Sequence, residues 1–486
     1  MKYTEQQEAI FAAIGETEDH VIVVAGAGCG KTSTIVEAAN RIDGNAAFLA
    51  FNKSIATELA KKLPDNVEAK TFHAFGFAAI RSAGIRTKVN NYKVRNIIAD
   101  LLGKDYFSAP LAKLVGLVKG SMVDGRDVRS IRRLIDEYNI QFESSREEKQ
   151  AIATIPAILN KCKTETSTID FDDMIWLPLV NNYPLPHYDL LFVDEAQDFN
   201  EMQRELIVRV VNGGRCIIVG DPNQAIYGFR GADSNSMRMF RTRLERESER
   251  GIIDLPLTVS WRCPTSVVQE ANRYVRDFHH APNAVAGKVL ENASFTPESG
   301  DMVLCRYNAP LVSAFYELVS EGKSAYILGR DMTKGLIAEI RKITKSDAMG
   351  IDEFKQLFNI HIKTKIQRLE ADEKMNQALS LRDKADCIYI FANRSETVGE
   401  MIDNIKMVFD SNDEGEIMLS TVHKAKGLEA PNVFILATER MPHPKGGHEE
   451  NNICYVAITR AQENLFFVGP RPGKNRLQGS VNLWAA

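Results

Sequence analysis

Short apolar runs punctuate the chain at intervals that leave room for a helix between neighbours. Residues 21–24, 46–51, 189–193 and 216–219 form a first series, each followed by a polar or glycine-rich break. They are too short for helices and lack polar alternation, so they predict buried strands of a parallel sheet, joined by crossover helices such as 53–63. Residues 70–77 (KTFHAFGF) predict a further short strand and turn. A second series at 255–260, 302–306, 324–328, 417–421, 433–437 and 465–468 predicts another sheet of the same kind. The expected fold class is therefore α/β, with two parallel-sheet units.

Inside each series the pattern changes to charged helical periodicity, which marks a mainly helical insertion. The expected layout is a first sheet domain at 1–84 and 167–250 with an insertion at 85–166, then a second at 251–334 and 405–486 with a smaller insertion at 335–404. Lys113, Lys119, Arg126, Arg129, Arg132 and Arg133 concentrate positive charge in the first insertion. Arg126, Arg129 and Arg133 fall on one helix face by spacing, either a solvated face or a patch that meets phosphates.

Composition changes this picture little. With 486 residues, 44% hydrophobic and 26% charged, the chain has the make-up of a globular protein of several domains. A net charge of −4 means that nucleic-acid affinity would have to come from local clusters. The seven cysteines lack C-x-x-C spacing and lie mostly in apolar runs, which suits reduced core thiols in the cytoplasm. His443, His448 and Cys454 are separated by loop-like PKGG and EENN, so no structural metal is expected. The amphipathic, acidic N-terminal stretch and the absence of a membrane-length apolar run predict a soluble, unexported protein with no membrane partner.

The strongest chemical signal is residues 21–34, VIVVAGAGCGKTST. A buried strand, a run of small residues and a helix opening at Lys31-Thr32 make a phosphate cradle, in which backbone N–H groups turn inward and the helix N-terminus adds partial positive charge. Ala27, Gly28, Cys29, Gly30, Lys31, Thr32 and Ser33 would line it. Lys31 would neutralise the β and γ phosphates of ATP, and Thr32 would hold Mg²⁺. Ala25 stands where the common pattern has its first glycine. Asp194 and Glu195 follow the third apolar run, where the first acid can bind Mg²⁺ and the second can deprotonate the attacking water. Gln224, after the fourth run, is suited to sense the γ-phosphate. Tyr227, Phe229 and Arg230 offer stacking faces and a cation for single-stranded nucleic acid.

In order along the chain, Gln6, AGAGCGKT, TFHAF, VDEAQD, GDPNQAIYGFRGA, SWRCP, STVHKAKGLE and YVAITRA resemble the motif set of superfamily 1 helicases of the UvrD/Rep/PcrA type. AFNKSIA, IDFDDMIWLP and the small second insertion are most similar to the F-box DNA helicase branch and its bacterial or phage relatives. The resemblance implies two RecA-like domains of the P-loop NTPase kind, Mg²⁺-ATP in a cleft between them, and a single strand across their tops. It implies that Gln6 reads the adenine, that Trp261 stacks on it in place of the usual tyrosine, and that Glu429 contacts the ribose. Arg262 and Arg460 match the two arginine fingers. Phe51, Asn52, His73, Tyr227, Phe229, Arg230 and His423 match positions where the family touches single-stranded DNA. Asn52-Lys53, Phe229 and Lys424 depart from the family's usual Thr-Asn, Trp and Ser. The implied activity is ATP-dependent translocation on single strands and unwinding of DNA, 3′ to 5′, by a monomer that works at junctions beside replication or recombination proteins. The alternative is a DNA-stimulated ATPase that strips proteins from single strands without productive unwinding.

Overall fold

The computed structural model describes residues 3–50, 53–103, 109–138, 140, 142, 144–228, 235–329, 331–372, 375–410, 415–443 and 447–473. The chain divides into two compact units between Thr258 and Val259.

Among the described residues of the first unit, six parallel strands form a sheet in the order Val67–Thr71, Ala46–Ala50, Leu190–Val193, Arg215–Gly220, His20–Ala25, Ile252–Leu257. Because all run the same way, the loops after Ala25, Val193 and Gly220 open on one edge. Two expectations are corrected here. The strand expected to open the second unit is the edge of the first sheet, with Ile252 opposite His20 and Leu257 opposite Ala25. Its Pro256 lacks an N–H, which an edge strand tolerates. Residues 70–77 are not a strand and turn: the strand stops at Thr71, whose hydroxyl accepts from Ala74 N (3.2 Å) and starts the helix Phe72–Ser82. Gly76 lets that helix lie against Phe171–Val180, since a Cβ there would meet Met174 O at 1.9 Å.

The helices Lys93–Leu102, Ala109–Gly120, Val128–Glu137 and Ser145–Thr164 fill the first insertion. They are not a separate body. Ile97, Leu114, Ile131 and Ile155 join Leu49, Phe72, Leu191 and Ile218 in one hydrophobic core. Lys119, counted in the basic stretch of the first insertion, is 0% exposed. It sits on a helix that is apolar nearly all round, and its Nζ donates to Asp170 Oδ2 (2.9 Å) and Asp173 Oδ1 (2.8 Å). Lys93 Nζ completes the group, donating to Asp173 Oδ2 (2.6 Å) and Cys162 O (2.9 Å). Asp170 and Asp173 also form the capping box that begins Phe171–Val180. Breaking a buried pair leaves a charge unmatched, so Lys119→Met is expected to cost about 3–5 kcal/mol of stability in denaturant unfolding. A loss within the error of the measurement would show that the carboxylates do not depend on it. Lys113 donates to Tyr138 O (3.2 Å), and Arg126 lies before the helix, leaving Arg129, Arg132 and Arg133 exposed on it.

Among the described residues of the second unit, six parallel strands lie in the order Lys288–Leu290, Ala461–Val468, Ala430–Leu436, Met302–Cys305, Ile417–Thr421, Ala325–Ile327. Helices Asp331–Ile340, Ile351–Ala371, Met375–Ala392 and Val398–Asp410 form its insertion, and again share the core: Phe354, Phe358 and Phe391 with Val303 and Leu419. All seven cysteines are buried thiols outside any disulfide. No helix among the described residues is long and apolar enough to cross a membrane.

Candidate nucleotide site and strand contacts

The inner strand His20–Ala25, next to the edge strand Ile252–Leu257, delivers the chain to the carboxyl edge of the first sheet. Ala25 is still paired there with Leu257, in a β conformation that admits a methyl group, which explains why glycine is not needed. The turn is made further on, where Gly28 and Gly30 have φ of +69° and +78°. Glycine adopts this left-handed region without penalty. Gly30 O then accepts from Thr34 N (2.9 Å), Thr34 Oγ1 (2.8 Å) and Ser33 Oγ (2.9 Å). Ala27 and Cys29 are fully buried beneath the loop. Among the described residues no side chain caps Lys31–Ala39, which leaves its first N–H groups to an anion.

Opposite charges meet at the helix start. Lys31 Nζ lies 3.6 Å from Glu195 Oε1. Burial pushes its pKa down, but Glu195, Asp221 and Asp194 outweigh this and hold the ammonium protonated, above its ordinary range. Asp194 closes the strand Leu190–Val193, accepting from Thr32 Oγ1 (3.0 Å) and Glu195 N (2.8 Å). Burial, then repulsion from Glu195, raises its carboxyl above the usual range despite Lys31. The hydroxyl of Thr32 and the carboxylate of Asp194 are hard oxygen donors already in contact, a set that fits Mg²⁺ beside a polyphosphate. Glu195 itself is left-handed, with φ +55°, a strained conformation for a non-glycine residue.

Two residues outside the expected set organise this edge. Gln197 Nε2 donates to Glu195 Oε2, while its Oε1 accepts from Asp221 N (3.0 Å), so one amide joins two strand ends. Asp221 is buried and raised by burial, and its Oδ2 accepts from Gln224 Nε2 (2.7 Å). Both stand inside the quoted motifs, where only three-dimensional contact distinguishes them from filler. Gln6 commits both ends of its amide to Thr258, donating to the hydroxyl (3.0 Å) and accepting from the N–H (2.9 Å). Its neighbour Gln7 donates to Thr34 Oγ1 (3.0 Å).

The second unit gathers its expected residues around Thr459. Arg262 Nη1 donates to Thr459 O (3.4 Å), and its Nε lies against Glu429 Oε2 in an ion pair that is not aligned as a hydrogen bond. Glu429 Oε1 accepts from Gln462 Nε2 (2.8 Å). Arg460 is 1% exposed, at the turn between Gly447–Ile458 and Ala461–Val468 rather than within a helix. Its guanidinium donates to Val456 O (2.9 Å), Leu428 O (3.1 Å) and Thr459 Oγ1 (3.2 Å). Trp261, next to Arg262 in the chain, is 51% exposed.

Of the expected strand contacts, Phe51, Asn52, Phe229 and Arg230 lie outside the described residues. Tyr227 is half-buried after Gln224, and His423 is half-buried at the carboxyl end of Ile417–Thr421. His73 is half-buried, its pKa lowered by burial, and its ring meets Phe171 edge-on at 5.6 Å. Phe171 was not among the expected contacts, although it stands in the quoted IDFDDMIWLP.

A family model described as the UvrD/REP helicase N-terminal domain matches residues 3–245, and one described as the UvrD-like helicase C-terminal domain matches 125–469. The chain is 26% identical over 504 residues to F-box DNA helicase protein 1 of Schizosaccharomyces pombe, covering 91% of this chain and 55% of that protein. It is 24% identical to F-box DNA helicase 1 of Gallus gallus, covering 96% and 49%, and 22% identical to the ATP-dependent DNA helicase PcrA of Staphylococcus aureus, covering 95% and 82%. The chain thus spans about half the length of the F-box relatives.

Proposed function

The chain belongs to the UvrD/REP helicase family, and from that premise we propose that it is an ATP-dependent single-stranded DNA translocase and DNA helicase, moving 3′ to 5′. The observation that carries the proposal is the convergence of Lys31, Thr32, Asp194 and Glu195 at one sheet edge, with Thr32 Oγ1 on Asp194 at 3.0 Å and Lys31 facing Glu195 at 3.6 Å. These are the four groups that phosphoryl transfer to water requires.

The uncapped helix start and Lys31 would bind the triphosphate. Thr32 and Asp194 would hold Mg²⁺, which supplies charge neutralisation at the phosphates when bound. Glu195, aimed by its left-handed backbone and by Gln197, takes the proton of the attacking water as the bond from the γ-phosphorus to the bridging oxygen breaks and ADP leaves. Gln224, held by Asp221, is placed to report whether the γ-phosphate is present. Gln6 would exchange its bonds to Thr258 for the adenine, Trp261 would stack on it, and Glu429 would turn from Arg262 to the ribose. Arg262 and Arg460 would meet the phosphate charge from the second unit. The motor domains are assigned to 1–84 with 167–258 and to 259–334 with 405–486, the insertions to 85–166 and 335–404. Single strands and junctions are the assigned partners of a cytoplasmic monomer.

The test is ATPase rate without polymer and with single-stranded DNA, duplex DNA or RNA, beside translocation and tailed-duplex unwinding. Stimulation by single strands with unwinding of a 3′-tailed duplex is expected. Translocation without unwinding would transfer the assignment to the protein-stripping alternative, and no stimulation by any polymer would remove the motor reading. Glu195→Gln keeps the shape, and its amide oxygen can still accept from Gln197, but the base is lost. ATP binding is expected to persist while hydrolysis slows by about 10²-fold or more. Weak binding with unchanged turnover would be the wrong pattern.

A further inference from the structure

Two short segments run side by side at the base of the first helical insertion. The strands Lys88–Val89 and Thr168–Ile169 pair in parallel, Val89 opposite Ile169. The pairing continues with Asn90 N donating to Ile169 O (2.8 Å), and a second tie follows where Lys93 Nζ donates to Asp173 Oδ2 (2.6 Å). Tyr92 and Phe171 lie between these two ties, one on each segment. Ile169, Lys93 and Asp173 are buried by the ties, whereas Tyr92 is 64% exposed and Phe171 52%. The two rings therefore face solvent from adjacent backbones that are each held at both ends.

Local stability does not account for Tyr92. It occupies the N-cap of Lys93–Leu102 and makes no side-chain capping bond there, at a position where serine or aspartate would serve the helix better. Val89, 47% exposed, extends the apolar strip. Arg86, Lys88 and Arg95 are exposed on the same segment and the helix it starts, opposed by half-buried Asp172 on the other. Stacking faces beside exposed cations suit an occupant recognised by its bases' π-faces and its backbone charge.

The geometry points to Tyr92 as a further base-stacking position, which carries single-stranded nucleic acid from His73 and Phe171 onto the helical insertion. This rests on the strand-motor reading above. The strand would leave the first sheet along the insertion's base rather than pass directly into solvent.

The full chain would be titrated with oligothymidylates of increasing length, by fluorescence anisotropy, with melting temperature as the control for folding. For oligomers long enough to reach the insertion, Tyr92→Ala is expected to lose about 5- to 150-fold in affinity, the worth of one stacked base, while the shortest oligomers that bind are unaffected. Tyr92→Phe, which keeps the ring face, should bind within about twofold of wild type. Photo-crosslinking of iodouridine-substituted oligomers to the unaltered protein should capture the peptide that holds Tyr92. Equal affinity of wild type and Tyr92→Ala at every length, a loss confined to duplex DNA, a Tyr92→Phe loss as large as that of alanine, or crosslinks that avoid this peptide would each overturn the assignment. Failure of the wild type to bind single strands at all would bring down the motor reading and this one together. Normal wild-type binding, weakened by Phe171→Ala but not by Tyr92→Ala, would bring down this one alone.

Discussion

Lys31→Ala should abolish ATP turnover. In the folded chain the ammonium is the cation that Glu195, Asp194 and Asp221 hold in common. Removing it has two consequences that act in the same direction. The transferring phosphoryl group loses a point charge at a site whose catalysis is largely electrostatic, a loss of about 10²–10³ or more in turnover. The three carboxylates also lose the charge that opposes their mutual repulsion, so the carboxyl of Asp194, already raised, rises further and becomes a poorer Mg²⁺ ligand. Arginine at this position would restore the charge but not the compact geometry, so Lys31→Arg is expected to remain inactive as well. ATPase rate with saturating single-stranded DNA is the measurement, and near-normal turnover in Lys31→Ala would remove the phosphate-loop assignment.

What was legible in the sequence divides along range. The phosphate loop is a local object: strand, glycine turn and helix start are consecutive, so spacing alone places Lys31 and Thr32. Asp194 and Glu195 were legible for the same reason, as polar residues ending an apolar run. Position in a sheet is not local. Residues 252–257 carry the signature of a strand, but nothing in them says which sheet they join, and pairing with His20–Ala25 moves the boundary between the units. Lys119 shows the same limit from the side of charge, because its counter-ions Asp170 and Asp173 lie far along the chain. A lysine on an apolar helix followed, much later, by an Asp-x-x-Asp pair is a signal only in retrospect. Thr71 is a local signal as well: a threonine before an aromatic run is an N-cap, and it starts the helix Phe72–Ser82 that carries His73, whereas the partner Phe171 is supplied only by the fold.

Arg262 and Arg460 carry the prediction that tests the proposed pair of arginine fingers. Both belong to the second unit, and both donate to Thr459, one to its carbonyl at 3.4 Å and the other to its hydroxyl at 3.2 Å. A shared anchor means that displacing either side chain disturbs the other. Arginine fingers elsewhere are worth about 10³–10⁵ in turnover, and two that answer one phosphate charge act as a unit. Arg262→Ala and Arg460→Ala are each expected to retain most of the affinity for ATP and to lose nearly all DNA-stimulated hydrolysis, and the double variant should be barely worse than either single. The burial of Arg460 adds a second readout. Its loss strips the donor from Val456 O, Leu428 O and Thr459 Oγ1, at about 1–3 kcal/mol for a buried acceptor left unmade, so Arg460→Ala should also melt earlier. Arg262 is only half-buried and bound to an exposed carboxylate, so its alanine variant should melt near wild type and is the cleaner test of turnover. If the two kinetic effects add in full, or if ATP affinity falls as far as turnover does, the arginines do not act as a pair on the transferring phosphate. If Arg262→Ala is silent while Arg460→Ala fails in both stability and rate, Arg460 is a structural residue of the second unit and the finger assignment goes with it.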